Sequence, residues 1–230
     1  MLFRYNIPKD QAILAGPKQE GLYDDLIQAF EIDYTAGGAT QNTMRFVSWI
    51  LGKNNANIAT FCGCIGDDYF GKMMEKKAKG DGVKVLYAVD KETATGTCAV
   101  LVTDNGTKRS LCAYLGAAEK FQKEYLIKNW YWVEKAKVFY LSGHSLSVSF
   151  DSVLSIAHQT VKDAFNPKLF CFNLAAPYVS EKFGKQLMEI LPYIDIMFGN
   201  ECEAAAFGKM RDYKVGSSCI NTKMPFFKKP

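Results

Sequence analysis

Apolar residues recur along the chain with two alternating periods. Leu22, Tyr23, Leu26, Ile27 and Phe30 sit at helical spacing, which predicts an amphipathic helix over 19–30. Ile32 and Tyr34 alternate with acidic or hydroxyl residues, the pattern of a short strand, and Gly37 and Gly38 must interrupt it. Met44, Val47, Ile50 and Leu51 predict a helix over 42–51, and the unbroken apolar run 58–64 predicts a strand covered on both faces. Gly66-Asp67-Asp68 closes that run, and Tyr69, Phe70, Met73 and Met74 open another helix.

The middle of the chain breaks this alternation. Runs 83–89 and 95–103 are rich in β formers with no helix between them, and Asp104-Asn105-Gly106-Thr107 is a turn leading into a strand over 110–114. The stretch predicts an antiparallel flap rather than part of a parallel sheet. Strands over 138–142, 169–173 and 194–199 then alternate with helices marked by Phe150, Val153, Leu154 and Ala157, by Phe183, Leu187, Met188 and Ile190, and by a start near Glu201. Repeated strand, loop and helix implies an α/β fold, a doubly wound and mostly parallel sheet with a small antiparallel lid over one end. Beyond about Tyr213 the period is lost, which predicts an irregular tail over 213–230.

Composition narrows this only slightly. With 230 residues, 48% hydrophobic and 23% charged, the chain is of globular type, not disordered, collagen-like or a disulfide framework. Its 28 basic against 24 acidic residues give a net charge of +4, too mild to argue for nucleic acid but no obstacle to an anionic substrate. No apolar stretch approaches the roughly 20 residues of a membrane helix, and Met1-Leu2-Phe3-Arg4-Tyr5-Asn6 lacks the layout of a signal peptide. A cytoplasmic protein without membrane or nucleic-acid partners is expected. The seven cysteines sit mostly in apolar runs, and Cys62-Gly63-Cys64 has no second pair at zinc-finger spacing, so buried free thiols are expected rather than a metal site.

Four places can carry chemistry. Ala36-Gly37-Gly38-Ala39-Thr40-Gln41-Asn42 joins a glycine pair to a helix start, where bare backbone and free amides can approach a ligand and Asn42 can bond a ribose hydroxyl. The same pattern also fits a plain turn with Thr40 or Asn42 capping the helix. Asp67 and Asp68 pair two carboxylates, best read as a cap on the next helix. Arg109 follows the hairpin turn, where a guanidinium can either clamp a phosphate or stand solvated. Asn200 and Glu203, three apart after a buried run, fit both the water shell of a magnesium ion and a capping box.

In order along the chain, Tyr34-Thr35-Ala36-Gly37-Gly38-Ala39-Thr40-Gln41-Asn42, Gly63-Cys64-Ile65-Gly66-Asp67-Asp68-Tyr69-Phe70-Gly71, Thr95-Gly96-Thr97-Cys98, Arg109-Ser110-Leu111, Asn173-Leu174-Ala175-Ala176-Pro177-Tyr178 and Phe198-Gly199-Asn200-Glu201 form a series. This series resembles the adenosine kinases of the ribokinase-like carbohydrate and nucleoside kinase family, from about Ile13 to Phe207. The resemblance implies phosphorylation of adenosine to AMP in purine salvage, with ATP as co-substrate and Mg2+, by a monomer in the cytoplasm and also in the nucleus. It implies a small lid domain over 1–38 and 84–118 and a large α/β domain over 39–83 and 119–212. It also implies that Gly37, Gly38 and Asn42 bind the ribose, that Leu115 covers the nucleoside, and that Arg109 clamps the phosphates. Asn200 and Glu203 would serve magnesium and phosphate, with Glu203 acting on the metal through water.

There are departures. The family opens with a strand whose aspartate holds the ribose hydroxyls, and the resemblance begins after it. The family's Gly-Ala-Gly-Asp motif, whose glycine amides form an anion hole and whose aspartate is the general base, occurs nowhere in the 230 residues. His144-Ser145 replaces aromatics of the adenine pocket, which predicts weaker base stacking, and Tyr114 and Glu119 replace asparagines. The chain is therefore expected to be truncated at both ends relative to the family and inactive alone. A non-catalytic binding or regulatory protein, and a partial product that does not fold alone, are the alternatives.

Overall fold

The computed structural model describes residues 1–52 and 58–210, so the expected tail over 213–230 lies outside the described residues. The described residues fall into two compact units, one ending at Lys120 and one beginning at Phe121.

The first unit contains a three-stranded sheet and a β-α-β element. In the sheet, β1 (Ala12–Leu14) runs parallel to β5 (Lys108–Tyr114), and β5 pairs antiparallel with β4 (Thr97–Thr103). The expected hairpin forms, with Asn105 and Gly106 both at positive φ in the turn. Strand alternation sends Ala99, Leu101 and Cys112 to the face that buries Leu22 of α1 (Leu22–Ala29), together with Tyr5 and Ile7. Leu22, Leu101 and Ile7, removed from water, each contribute about 1.5–3 kcal/mol. Val100 and Val102 point the other way and stay exposed.

After α2 (Ala39–Leu51), β2 (Thr60–Gly66) is connected through α3 (Tyr69–Gly80) to β3 (Lys84–Asp90), which pairs with it in parallel from Thr60↔Lys84 to Gly66↔Asp90. Three expectations are corrected here. The run 83–89 belongs to a parallel pair and not to the antiparallel flap. It reads as β-rich in either case, and only the crossover helix α3 sets its direction. Residues 31–38 form no strand, since Glu31, Asp33, Tyr34 and Thr35 are exposed and no strand among the described residues pairs with them. Finally, β2 is buried only over Cys64, Ile65 and Gly66, with its first four residues half-buried, rather than covered throughout.

An aspartate fastens the two parts of this unit. Asp68, at the N-cap of α3, accepts hydrogen bonds from the Gly71 amide (2.8 Å), the Thr95 amide (2.7 Å) and the Thr95 hydroxyl (2.7 Å), while the Gly66 amide donates to Thr95 Oγ1 at 2.9 Å. A Cβ on Gly71 would stand 2.4 Å from the Gly66 carbonyl oxygen, so glycine is required for the close approach. The capping reading of the paired carboxylates is the one realised.

In the second unit, β6 (Val138–Ser142), β7 (Leu169–Asn173) and β8 (Ile196–Phe198) form a parallel sheet in that order. Short helices α4 (Lys123–Lys128) and α5 (Trp130–Lys135) precede it. The crossovers are α6 (His144–Val148) with α7 (Phe150–Val161), then α8 (Pro177–Lys182) with α9 (Gly184–Ile190), and α10 (Glu201–Met210) follows β8. Central β7 is buried at Phe170, Cys171 and Phe172, and its phenylalanines pack in one core with Val153, Ala157, Val179, Leu187 and Ile190. Such a strand reads as a continuous apolar run because helices and neighbouring strands leave it no wet face. The α/β class, with parallel strands and a small antiparallel element, is as expected.

Candidate functional site

At the glycine pair, α2 begins at Ala39, three residues earlier than its apolar period suggests. Its N-cap is Gly38 at φ +94°, a backbone that side-chain-bearing residues rarely adopt, and no side chain caps the helix. The turn capped by Thr40 or Asn42 is therefore not what forms. The first helical amides have no partner within the helix, as at any helix start, and a Cβ placed on Gly37 would meet nothing within 4 Å. Bare, open backbone lies next to helix-start amides that have no partner among the described residues.

Two residues that the sequence reading missed hold this loop from behind. Gln41 is 1% exposed; its Nε2 donates to the Gly37 carbonyl at 3.1 Å, and its Oε1 accepts from the Tyr87 hydroxyl of β3. Arg45 donates from Nη1 to the Ala36 carbonyl (3.0 Å) and to Asn42 Oδ1 (2.9 Å), and from Nε to Asp81 Oδ2 (2.6 Å). Asn42 itself is exposed. Gln41 and Arg45 lie one turn apart, and their signal was a pair of polar residues at helical spacing on one side of an amphipathic helix.

Arg109 and Leu115 lie near opposite ends of β5, separated by about 20 Å at roughly 3.3 Å per residue. Arg109 is exposed and opposite Val102 in register; its amide approaches Asp10 Oδ1 at 3.5 Å, and its guanidinium makes no ion pair among the described residues. Lys108 beside it pairs with Asp10 at 2.6 Å. Leu115 is half-buried, and its carbonyl oxygen would sit 2.4 Å from a Cβ on Gly96, which ties the Thr95-Gly96-Thr97 motif to this segment. No hydrogen bond or ion pair among the described residues joins Arg109 to the glycine loop.

In the second unit, the segments that follow β6, β7 and β8 carry the polar groups. Asn200 and Glu203 form a complete capping box. The Asn200 amide donates to Glu203 Oε2 (3.0 Å), Asn200 Nδ2 to Glu203 Oε1 (3.0 Å), and the Glu203 amide to Asn200 Oδ1 (2.9 Å). Glu203 is buried at 7% exposure. Each carboxylate oxygen keeps a second lone pair, so Glu203 can accept from water in a cation's shell while the box stays closed. No group of three or more His, Cys, Asp or Glu gathers among the described residues, and a magnesium ion here would rely on water and phosphate oxygens. His144, at the start of α6, bonds through Nδ1 to the Tyr178 hydroxyl at 2.8 Å. Burial pushes its pKa below the usual histidine value, partly opposed by the negative charge of Glu203. Ser145 donates to the Ser142 carbonyl at 2.6 Å.

Of the Cys62-Gly63-Cys64 pair, burial pushes Cys62 up to about 11 and is the first cause of the rise at Cys64, so both remain protonated thiols. Among the described residues, no helix is long and apolar enough to cross a membrane.

Residues 10–218 match the pfkB family of carbohydrate kinases. Adenosine kinase 1 of Arabidopsis thaliana is 41% identical over 215 residues, covering 93% of this chain and 60% of that protein. A crystal structure of Anopheles gambiae adenosine kinase in complex with P1,P4-di(adenosine-5) tetraphosphate superposes with a TM-score of 0.85 at 41% identity, covering 92% of this chain and 62% of that one. The adenosine kinase of Schistosoma mansoni in complex with adenosine and AMP gives 0.85 at 33% identity, over 95% and 63%. The chain thus spans about three fifths of the length of the relatives it matches. With its mixed parallel and antiparallel sheets and small β element, it has the ribokinase-like fold, resembles the adenosine kinases, and belongs to the pfkB family of carbohydrate kinases.

Proposed function

We propose that this chain is the nucleoside-binding portion of an adenosine kinase, whose reaction moves the terminal phosphoryl group of ATP to the adenosine 5′-hydroxyl. The observation that carries this reading is the glycine loop: open backbone at Gly37, a positive-φ Gly38 and an exposed Asn42, in a chain 41% identical to an adenosine kinase. In this reading the ribose lies against Gly37, Gly38 and Asn42, and Leu115 covers the nucleoside. Arg109, an exposed residue of β5 whose guanidinium makes no ion pair among the described residues, reaches the phosphates when a lid built on β1, β4 and β5 moves. Phosphoryl transfer is governed by positioning and charge neutralisation, which suits such a dispersed set. Mg2+, bound with ATP, would neutralise the phosphates, and Glu203 would hold one of its waters.

The 230 residues contain no Gly-Ala-Gly-Asp, the motif in which the family resemblance places the group that takes the 5′-hydroxyl proton. This favours a second reading for the chain on its own, a nucleoside binder without turnover. Titration calorimetry of the purified chain with adenosine, followed by a coupled assay for AMP with ATP and Mg2+, tests both. Adenosine binding without AMP above a no-protein control is expected. No binding at millimolar adenosine would sink the nucleoside reading, and AMP formation would overturn the inactivity.

A further inference from the structure

The hydrogen bonds behind the glycine loop determine which end of the Asn42 amide is offered to a ligand. An arginine guanidinium has five donors and no acceptor, so the Asn42 atom 2.9 Å from Arg45 Nη1 must be the carbonyl oxygen. The same Nη1 holds the Ala36 carbonyl at 3.0 Å, on the residue just before the glycine pair. Arg45 in turn is anchored through Nε on Asp81, 2.6 Å away at the C-terminal end of α3. Lys77 also approaches Asp81, at 3.5 Å. The Arg45 and Asp81 side chains are only 20% and 29% exposed, so the pair is better shielded than an open surface ion pair. With its oxygen held against the guanidinium, Asn42 keeps one lone pair there, while both Nδ2 hydrogens have no partner among the described residues and make the nitrogen the freer end of the amide.

We propose that Arg45 is a positioning residue that locks Asn42 as a hydrogen-bond donor, so that the loop selects ligands presenting a ribose hydroxyl oxygen as acceptor. The proposal rests on the nucleoside reading above and adds the direction of the hydrogen bond and the residue that sets it. Without Arg45 the amide can rotate, either end can face the ligand, and the Ala36 carbonyl loses its tether. The ordering that Arg45 provides before binding is then required at the moment of binding, which weakens affinity.

The test is titration calorimetry of the full chain with adenosine and with 2′,3′-dideoxyadenosine, which has the same base but no ribose hydroxyl for Asn42. Arg45→Met should weaken adenosine binding by about 3- to 10-fold, the range of one neutral hydrogen bond, and leave the dideoxy analogue unchanged within twofold. Asn42→Ala should show the same selective loss, and Arg45→Met with Asn42→Ala should be no weaker than Asn42→Ala alone. Should Arg45→Met fail to fold, Asp81→Asn, which keeps the arginine but loosens its anchor, should give a smaller loss of the same selectivity. Equal weakening of both nucleosides, or additive losses in the double variant, would reduce Arg45 to a structural residue and overturn the proposal. If Asn42→Ala lowers adenosine affinity selectively while Arg45→Met leaves it intact, the proposal fails and the nucleoside reading stands. If the unaltered chain binds neither nucleoside, both fall.

Discussion

Two helix starts in this protein solve the same problem in opposite ways. At α2 the N-cap is Gly38, no side chain closes the end, and the polar residues Gln41 and Arg45 bond backward to the loop. At α10 the cap closes on itself, with Asn200 and Glu203 exchanging three hydrogen bonds. The first arrangement leaves donors open at the front and holds them rigidly from behind. The second exchanges its bonds between its own cap and third helical residue, so its stability is local and Glu203 offers a ligand spare lone pairs. Openness with rear support suits direct contact with a substrate, and closure suits a secondary contact through water.

The largest expected effect tests the closed end. Glu203→Ala removes both carboxylate bonds to Asn200 at a position 7% exposed, and should cost about 1–3 kcal/mol of stability in a denaturant melt. Asn42→Ala, at an exposed residue of the open end, should change the melt by less than about 0.5 kcal/mol. If Asn42→Ala were as destabilising as Glu203→Ala, the contrast between the two helix starts would disappear.

A middle-sized effect comes from Asp68, a third helix start that is closed but tied to a distant segment. Burial alone would raise its carboxyl pKa, yet the amides of Thr95, Gly71 and Phe70 and the Thr95 hydroxyl outweigh it, leaving the group below the ordinary carboxylate range. A depressed folded value means that the unfolded chain takes up the proton first. The stabilisation is therefore complete above the unfolded carboxylate pKa of about 4 and disappears as pH falls through the folded value. Thermal melts across the acid range should show a shallower loss for Asp68→Asn than for the unaltered chain. An identical acid limb would mean that these hydrogen bonds do not favour the ionised form.

What the sequence revealed follows from which residues have their role fixed by local pattern. Strands 138–142 and 169–173 were legible to the residue, because an apolar run bounded by polar turns leaves little freedom in register. The glycine pair was legible as a break, and Gly38 at φ +94° shows why that break must be glycine. The direction of β3 was misassigned although its crossover helix was legible from Tyr69 onward, because its residue types fit parallel and antiparallel neighbours alike and the adjacent β-rich run 95–103 suggested a hairpin. Nor were the roles of Gln41 and Arg45. A polar side chain on a helix looks the same whether it meets water or tethers a carbonyl, and the difference arises from β3 and the end of α3 packing beneath it. Asn200 and Glu203 stayed ambiguous for a physical reason, because the spacing that closes a capping box also places an amide and a carboxylate beside a cation's water.

The smallest stability effect carries the sharpest functional contrast, and it separates the two glycines. Gly38→Ala forces a side chain into φ +94° and should destabilise the chain by about 1–3 kcal/mol, whatever the ligand. Gly37→Ala adds a methyl into space where nothing lies within 4 Å, so its melt should match that of the unaltered chain within about 0.5 kcal/mol. That same space is where bare backbone would meet the ribose, and a methyl there excludes it. Adenosine binding should therefore fall at least tenfold for Gly37→Ala with no change in the melt. Retained affinity would mean that the ligand does not approach the backbone at Gly37, and the open helix start would then have to serve some other contact.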